Sequence, residues 1–155
     1  MPAAPRDIRR LAFQVLFQLD ARRERDSQII RDSIEQDESN LGPKDRDKAF
    51  ELATAAYAAR AEADREMLTL APQWPAHRQA AVDRAILRLA HFEITSGRTP
   101  PKIAVNEAVE LAKEFSTDKS PAFVNGLLDK VLKKALAKAA EATAETPPPP
   151  EPASP

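Results

Sequence analysis

The chain contains no cysteine and only three glycines in 155 residues. Without cysteine it has no disulfides, no thiolate zinc sites and no cysteine nucleophile. The scarcity of glycine and the lack of alternating β-branched runs argue against a sheet protein, because hairpins need tight turns and strands need a period of two. No apolar run approaches the roughly 18 residues of a membrane span, and the N-terminus lacks the apolar segment of a secretion signal. We therefore expect a cytoplasmic protein that does not insert into a membrane.

The motifs of common enzymes are also missing. The chain has two histidines, His77 and His91, and no zinc-protease, hydrolase-elbow, phosphate-loop or dinucleotide-binding motif. Glu93 continues the apolar stripe of its helix, and a buried carboxylate needs a hydrogen-bonding partner. We expect Glu93 to bond a basic group or a helix end rather than to act as a catalytic acid. The sequence thus predicts no catalytic residue, no metal site and no cofactor.

Charge is abundant but unevenly distributed along the chain. The formal net charge is only −1. Residues 1–25 nevertheless carry six arginines against three acidic residues, a local net of +3. Residues 26–51 carry eight acidic against four basic residues, a local net of −4. The neutral average therefore hides a basic N-terminal patch, which is the kind of surface that attracts phosphate groups.

Apolar residues recur at helical spacing over most of the chain, and 43% of the residues are hydrophobic. This pattern predicts one all-α domain of about seven helices. The predicted helices are one that begins near Asp7, then 27–35, 44–70 with a break near 58–63, 76–96, 101–115, and one that begins at Ser120. The chain ends in the proline-rich run PPPPEPASP, which cannot build a core. We expect a folded domain over residues 5–136 and a disordered tail over residues 137–155.

Single residues add local structural predictions. Gly97 is well placed to end the helix before it in a left-handed conformation. Trp74, between Pro72 and Pro75, is predicted to fill a gap in the core. Gly126 lies inside the last helix, where glycine costs about 1 kcal/mol relative to alanine. Its presence there predicts that another backbone packs closely against it.

The start of the first helix is a candidate RNA-binding surface. Arg6, Arg9 and Arg10 lie in or next to its first turns, and a guanidinium group donates to phosphate at two points and stacks on bases. Gln14 and Phe17 follow on the same helix. Phe17 falls off the main apolar stripe, where its ring could stack on an unpaired base. The pattern leaves open the alternative of a solvated helix end with Phe17 filling a groove.

A second candidate RNA contact lies at the start of the last helix. Lys119 and Phe123 flank a Ser120-Pro121 helix start. Backbone amides and the helix dipole favour an anion at such a position. An ordinary capped helix start explains the same residues equally well.

Three charged residues flank the buried stripe of the 76–96 helix, namely Asp83, Arg84 and Arg88. Their positions suit either ion pairs inside the protein or a surface for a partner, and the pattern alone does not separate the two. We take all three as candidates for contact with a protein partner.

Several stretches resemble the NusB family of bacterial transcription antitermination factors over about residues 6–132. They are RDIRRLAFQVLFQLD, Trp74, Arg78, VDRAILRLAHFEI, VNEAVELAKEF and FVNGLLDK. The resemblance implies a fold of two three-helix bundles packed crosswise, and an RNA-binding adaptor rather than an enzyme. It implies binding to the boxA element of ribosomal RNA leader transcripts together with NusE, a ribosomal protein of the small subunit. It also implies assembly with other Nus factors on RNA polymerase.

The same resemblance implies RNA contact at four residues, Arg6, Arg9, Phe17 and Phe123. It also implies that Asp83 lies on the helix that faces NusE. Arg10 stands where the family often has an acidic residue, and Lys119 stands in a loop where acidic character is common. The alternative function is a helical protein-binding adaptor without affinity for RNA. The sequence leaves open whether the chain forms a homodimer.

Overall fold

The computed structural model describes residues 5–22, 30, 32 and 41–145, and among these it contains six α-helices, one short 3-10 helix and no strand. The helices are α1 (Pro5–Arg22), α2 (Pro43–Ala58), α3 (Arg60–Leu70), the 3-10 helix Ala76–Arg78, α4 (Ala81–Thr95), α5 (Pro101–Phe115) and α6 (Ser120–Glu145). The predicted all-α class is confirmed for this part of the chain. The helix predicted at 27–35 lies outside the described residues, apart from Ile30 and Asp32. Within the described ranges, no helix is both long and apolar enough to cross a membrane.

α1 contacts α2 and α4 through the apolar stripe that the sequence predicts. Leu11, Val15, Leu16 and Leu19 are all buried, at the spacing of one helical face. The buried face of α2 consists mainly of small side chains, with Ala49, Ala53 and Ala56 among them. Because the distance between packed helices depends on the side chains at the contact, this alanine face lets α2 lie close to α1.

α4 is the central helix of the described fold. It contacts α1, α2, α3, α5 and α6. Ten of its residues are buried, and these occupy several sides of the helix rather than one stripe. α4 therefore joins the α1–α2 pair to the α5–α6 pair, which fits the expected two-group organisation. Its polar side chains must find partners inside the protein, because buried polar groups are costly when unpaired.

Most helix boundaries follow the local signals in the sequence. α2 begins at Pro43 and α5 begins at Pro101, each with proline in the first turn. Gly97 has φ +74° just after α4, as expected of a residue that ends a helix. The predicted break in the 44–70 segment is confirmed, since α2 and α3 are separated at Ala59.

The start of α4 differs from the prediction, which placed it near residue 76. Ala76–Arg78 form a separate 3-10 helix, and the backbone of Gln79 and Ala80 is extended. The reason lies in Arg84, whose Nη1 donates to the carbonyl oxygens of Ala76 at 2.8 Å and of Gln79 at 3.3 Å. The Arg84 side chain thus satisfies the Gln79 carbonyl and adds a second donor to the Ala76 carbonyl, which also accepts from the Gln79 amide at 3.2 Å.

Two further expectations are corrected on α6. A Cβ at Gly126 would meet no atom within 4 Å, so no backbone packs closely against this glycine. The helix also continues to Glu145, past the boundary expected at residue 136. Alanine has the highest helix propensity, so the alanine-rich segment extends the helix rather than ending it. Residues 146–155 of the expected tail lie outside the described residues.

Candidate nucleic-acid interface

The arginines at the start of α1 face a row of carboxylates on α5. Arg6 Nε and Nη2 donate to the two carboxylate oxygens of Glu107 at 3.0 and 2.9 Å. Arg10 forms an ion pair with Glu114, and its guanidinium carbon lies 5.4 Å from the centre of the Phe115 ring. The hydrogen bond from Arg6 holds the pKa of the Glu107 carboxyl below its usual value, and the same bond raises the pKa of Arg6.

Arg9 lies beneath these two arginines and is bound inside the protein. Its Nε donates to both carboxylate oxygens of Glu93 at 2.9 and 3.1 Å, and its Nη2 donates to one of them at 2.8 Å. The Thr99 hydroxyl also donates to Glu93. The side chains of Arg9 and Glu93 are only 11% and 3% exposed. The prediction that Glu93 bonds a basic group is confirmed.

Within the described residues, Arg6, Arg9 and Arg10 of the predicted basic patch are therefore all paired with carboxylates. The side chains of the other three arginines of the patch lie outside the described residues. Of these three described arginines, Arg6, with 67% of its side chain exposed, and the half-exposed Arg10 extend into solvent. Gln14 is partly buried, and Phe17 is partly buried against the core. This position of Phe17 agrees with the alternative of a ring that fills a groove. Contact of these residues with RNA stays a prediction.

Asp83 lies inside the protein rather than on its surface. It is 8% exposed and accepts hydrogen bonds from the hydroxyls of Ser116 at 2.7 Å and Ser120 at 3.0 Å. The Oγ atoms of Ser116 and Ser120 also lie 2.8 Å apart. Asp83 thus ties the first turn of α4 to the start of α6. Because both carboxylate oxygens accept hydrogen bonds within the chain, the structure shows Asp83 in an internal contact. Its expected place on the helix that faces NusE stays a prediction.

Arg84 and Arg88 form ion pairs that connect α4 to α1 and α3. Arg84 Nη2 donates to Asp20 at 2.7 Å, and Arg88 donates to Asp20 at 3.1 Å and to Asp64 at 2.7 and 2.9 Å. Burial alone would raise the pKa of Asp20, but the hydrogen bonds and charges of the two arginines outweigh it and lower that pKa. Burial likewise opposes the charge of Arg88, yet Asp64 and Asp20 raise its pKa.

The sequence left two uses open for these arginines, and the structure shows the internal one. Arg88 is 7% exposed and its donors are engaged within the chain, while Arg84 is mostly buried. Arg84 and Arg88 therefore form ion pairs within the fold. Any effect of these residues on partner binding stays a prediction.

Trp74 is not a core residue, contrary to the prediction. It is 48% exposed, and its ring meets the ring of Phe123 edge-on, with 6.0 Å between the ring centres. The guanidinium carbon of Arg78 lies 5.9 Å from the centre of the Trp74 ring. Pro72 and Pro75 prevent a regular helix here, so the segment forms a surface turn that presents the indole ring to solvent.

These rings border an open cavity of about 380 Å³, which we call the Trp74 groove. Its lining residues are Trp74, Arg78, Gln79, Ala80, Asp83, Thr117, Lys119, Ser120 and Phe123. The groove brings the predicted residues Lys119 and Phe123 together with Trp74 and Arg78, which the sequence did not assign to binding. The sequence signal that could have indicated this site is a tryptophan held between two prolines, with an arginine four residues later.

Comparisons with known proteins agree with this fold. Residues 6–133 match the model of the NusB family. The transcription antitermination protein NusB of Herpetosiphon aurantiacus is 39% identical over 132 residues, which cover 82% of this chain and 88% of that protein. The solved structure of T. maritima NusB has a TM-score of 0.74 and 29% identity, covering 86% of this chain and 94% of its own.

A second solved structure contains antitermination factors NusB and NusE in complex with dsRNA. The matching chain of that structure has a TM-score of 0.72 and 25% identity, and the match covers 83% of this chain and 96% of the other. The transcription antitermination protein NusB of Roseiflexus sp. is a further relative, 37% identical over 137 residues, which cover 86% of this chain and 95% of that protein.

Proposed function

This chain belongs to the NusB family of transcription antitermination proteins, and we propose that it binds the boxA element of ribosomal RNA leader transcripts together with NusE, a ribosomal protein of the small subunit. In this role it joins other Nus factors on RNA polymerase in the cytoplasm and supports the synthesis of ribosomal RNA. The observation that carries the proposal is the family match over residues 6–133. The solved complex of a related NusB with NusE and dsRNA supports it.

Two surfaces carry the proposed RNA contact. The first is formed by Arg6 and Arg10, whose exposed guanidinium groups can exchange a carboxylate for a phosphate. The second is formed by Lys119 and Phe123 on the Trp74 groove, where a cation lies beside an aromatic ring. This pairing suits single-stranded RNA, since cations attract the backbone and rings stack on bases.

Arg9, Gln14 and Phe17 support the first surface in this proposal. The Arg9–Glu93 bonds fix the position of α1 relative to α4. Arg9 therefore acts by holding the exposed arginines in place. Only the small exposed part of its side chain is open to a phosphate. Gln14 and the edge of Phe17 lie further along α1, where both remain partly accessible.

Asp83, Arg84 and Arg88 serve NusE binding indirectly in this proposal. Each fixes α4 to a neighbouring helix. Asp83 does so through Ser116 and Ser120, and the two arginines do so through Asp20 and Asp64. The partner then meets a surface whose shape these bonds maintain. Their replacement should weaken NusE binding together with stability, unlike replacement of a residue that contacts the partner directly.

A protein-binding adaptor without RNA affinity is the second candidate function. One observation favours it, namely the pairing of Arg6 with Glu107 and of Arg10 with Glu114. These carboxylates reduce the positive potential that would attract RNA to α1. The adaptor function predicts NusE capture with no RNA affinity at moderate salt.

The test is a titration of fluorescently labelled single-stranded boxA RNA, with and without NusE, at several salt concentrations. We expect binding that NusE tightens and salt weakens, with a slope in log K against log salt of about −0.7 per phosphate contact. A scrambled RNA of equal length serves as the reference for sequence preference. Absence of RNA binding at low salt, with NusE bound normally, would contradict the proposal and support the adaptor.

Matched variants connect this binding to the surface of α1. Arg6→Ala should weaken RNA binding and lower the salt slope, since it removes one phosphate contact. Lys133→Ala is the control, because Lys133 is equally exposed but lies on α6 beside Asp129. Equal affinities of the two variants would remove Arg6 from the RNA contact.

A further inference from the structure

We propose that the Trp74 groove binds one unpaired nucleobase of the RNA, with the Trp74 indole as the surface on which the base stacks. The inference rests on the proposed RNA binding and makes it more specific, because it adds Trp74 and Arg78 to the contact and selects unpaired over paired bases.

The indole ring is both accessible and held in position. About half of the residue is exposed, which leaves ring surface for a ligand. The backbone around it is fixed, because the Trp74 amide donates to the Ala71 carbonyl at 2.9 Å and the Gln79 side chain donates to the Trp74 carbonyl at 3.0 Å. Phe123 supports the ring edge-on. A ring that is already fixed loses little conformational entropy when a base stacks on it.

The charges around the groove favour an anionic ligand. The lining contains two cationic side chains, Arg78 and Lys119, and one carboxylate, Asp83. Asp83 is nearly buried, and both of its oxygens accept hydrogen bonds from serine hydroxyls. The accessible charge of the lining is therefore positive. The phosphates on either side of a bound nucleotide would meet Arg78 and Lys119 in turn.

The shape and chemistry of the groove fit a base rather than a protein side chain. The cavity of about 380 Å³ falls within the usual range of small-ligand sites, about 300–1,000 Å³. An aromatic platform with a guanidinium group beside it is the combination that recognises bases in single strands. Bases inside a duplex already stack on both faces, so a duplex offers the indole no free ring surface along its length.

The experiment uses the fact that Trp74 is the only tryptophan of the chain. Its fluorescence therefore reports on the groove alone. The full-length protein is titrated with single-stranded boxA RNA, with the same sequence as a duplex, and with an abasic ribose-phosphate oligomer of equal length. Binding of each labelled RNA is followed in parallel by anisotropy, which does not depend on Trp74. We expect strong quenching with the single strand, and little quenching with the duplex or the abasic oligomer at equal saturation.

Variants separate stacking from folding and from charge. Trp74→Leu should weaken single-strand binding by about 5- to 150-fold, the range that loss of one stacked base gives. Trp74→Phe should restore most of the affinity, because the smaller ring still offers a stacking face. Leu136→Ala, at an exposed apolar residue on α6, should leave the affinity unchanged. Circular dichroism checks that each variant is folded.

The outcomes distinguish this inference from the proposed function. Suppose that anisotropy shows RNA binding, but Trp74 fluorescence is not quenched and Trp74→Leu binds RNA with unchanged affinity. This result would overturn base stacking in the Trp74 groove while the RNA-binding function stands. If Trp74→Leu binds RNA normally but no longer binds NusE, the groove is a contact for the protein partner, and the inference is also overturned. Absence of any RNA binding by anisotropy would overturn the proposed function itself.

Discussion

Arg6 and Glu107 lie 101 positions apart in the chain and form a two-point ion pair, with 2.9 and 3.0 Å between the guanidinium nitrogens and the carboxylate oxygens. The pair joins the first turn of α1 to α5 at the surface proposed for RNA. Both donors of Arg6 in this pair are those that a phosphate would use. RNA binding at Arg6 therefore requires phosphate to replace the Glu107 carboxylate.

This competition predicts that Glu107→Gln raises RNA affinity. The change removes the competing charge but keeps the side-chain size, so we expect an increase of about two- to fivefold at low salt, the scale of an exposed ion pair. Anisotropy with labelled boxA RNA measures the effect. Glu110→Gln is the charge-matched control, because Glu110 pairs with Lys113 rather than hydrogen-bonding Arg6.

The comparison of the two glutamate variants is decisive for the mechanism. A larger gain for Glu107→Gln than for Glu110→Gln supports direct competition at Arg6. Equal gains would mean that only the overall charge of α5 matters. In the Arg6→Ala background the specific gain from Glu107→Gln should disappear, since the two residues act on each other.

The buried pair of Arg9 and Glu93 is predicted to contribute to the stability of the fold rather than to the affinity for RNA. Glu93→Ala leaves the Arg9 guanidinium nearly buried without its main acceptor, and breaking such a pair costs about 3–5 kcal/mol of unfolding free energy. Urea denaturation measures this cost. The double variant Arg9→Met with Glu93→Leu should recover much of it, because apolar residues of similar size avoid the unpaired charge.

A different result would change the role of Arg9. If Glu93→Ala unfolded at the same urea concentration as the wild type, Arg9 would have to find another acceptor or reach solvent. The proposal that Arg9 positions the exposed arginines would then fail. Arg6→Ala, at the exposed end of the same surface, should leave the urea midpoint close to that of the wild type.

Particular residues show how far the sequence predicts this protein. The stripe of Leu11, Val15 and Leu19 predicts a buried helix face because helical periodicity is a local property. Gly97 is equally local, since its effect depends on its own φ. Most of the described helices, many of their boundaries and the all-α class follow from signals of this kind, whereas the start of α4 and the end of α6 do not.

The candidate site could not be predicted in the same way, because it depends on contacts between distant parts of the chain. The cluster of Arg6, Arg9 and Arg10 appears basic in the sequence, yet its carboxylate partners lie 84 and 101 positions away for Arg9 and Arg6. Trp74 appears apolar and therefore buried, although the turn around it presents the ring to solvent. Burial and pairing of such residues are decided by the packing of whole helices.

The lowered pKa of Asp20 predicts that the protein loses stability in acid. The folded protein holds the pKa of Asp20 below its unfolded value of 3.8, through Arg84 and Arg88. A group with a lowered pKa stabilises the fold above its unfolded pKa, and this contribution is lost as the pH falls through the folded-state pKa. We therefore expect the urea midpoint to fall as the pH is lowered from about 5 to below 3.

Asp20→Asn tests the source of that pH dependence. The variant should be less stable at neutral pH, because it removes the negative charge shared by Arg84 and Arg88 and replaces one of the two accepting oxygens with an NH2 group. Its stability should fall less on acidification. Asp129→Asn is the control, since Asp129 pairs with Lys133 on the exposed side of α6. An Asp20→Asn profile parallel to that of the wild type would assign the acid sensitivity to other carboxylates.

Replacing Gly126 with alanine is predicted to stabilise the protein. The residue is exposed inside α6, and a Cβ there would meet no atom within 4 Å. Gly126→Ala should therefore stabilise the protein by about 1 kcal/mol, the difference in helix propensity, and raise Tm by about 3–5 °C. Gly42→Ala is a matched control at the N-cap of α2, where glycine is preferred over alanine, so this change should give no gain. An unchanged or lower Tm for Gly126→Ala would mean that the glycine serves a conformation of α6 other than the regular helix, such as one adopted with RNA in the adjoining groove.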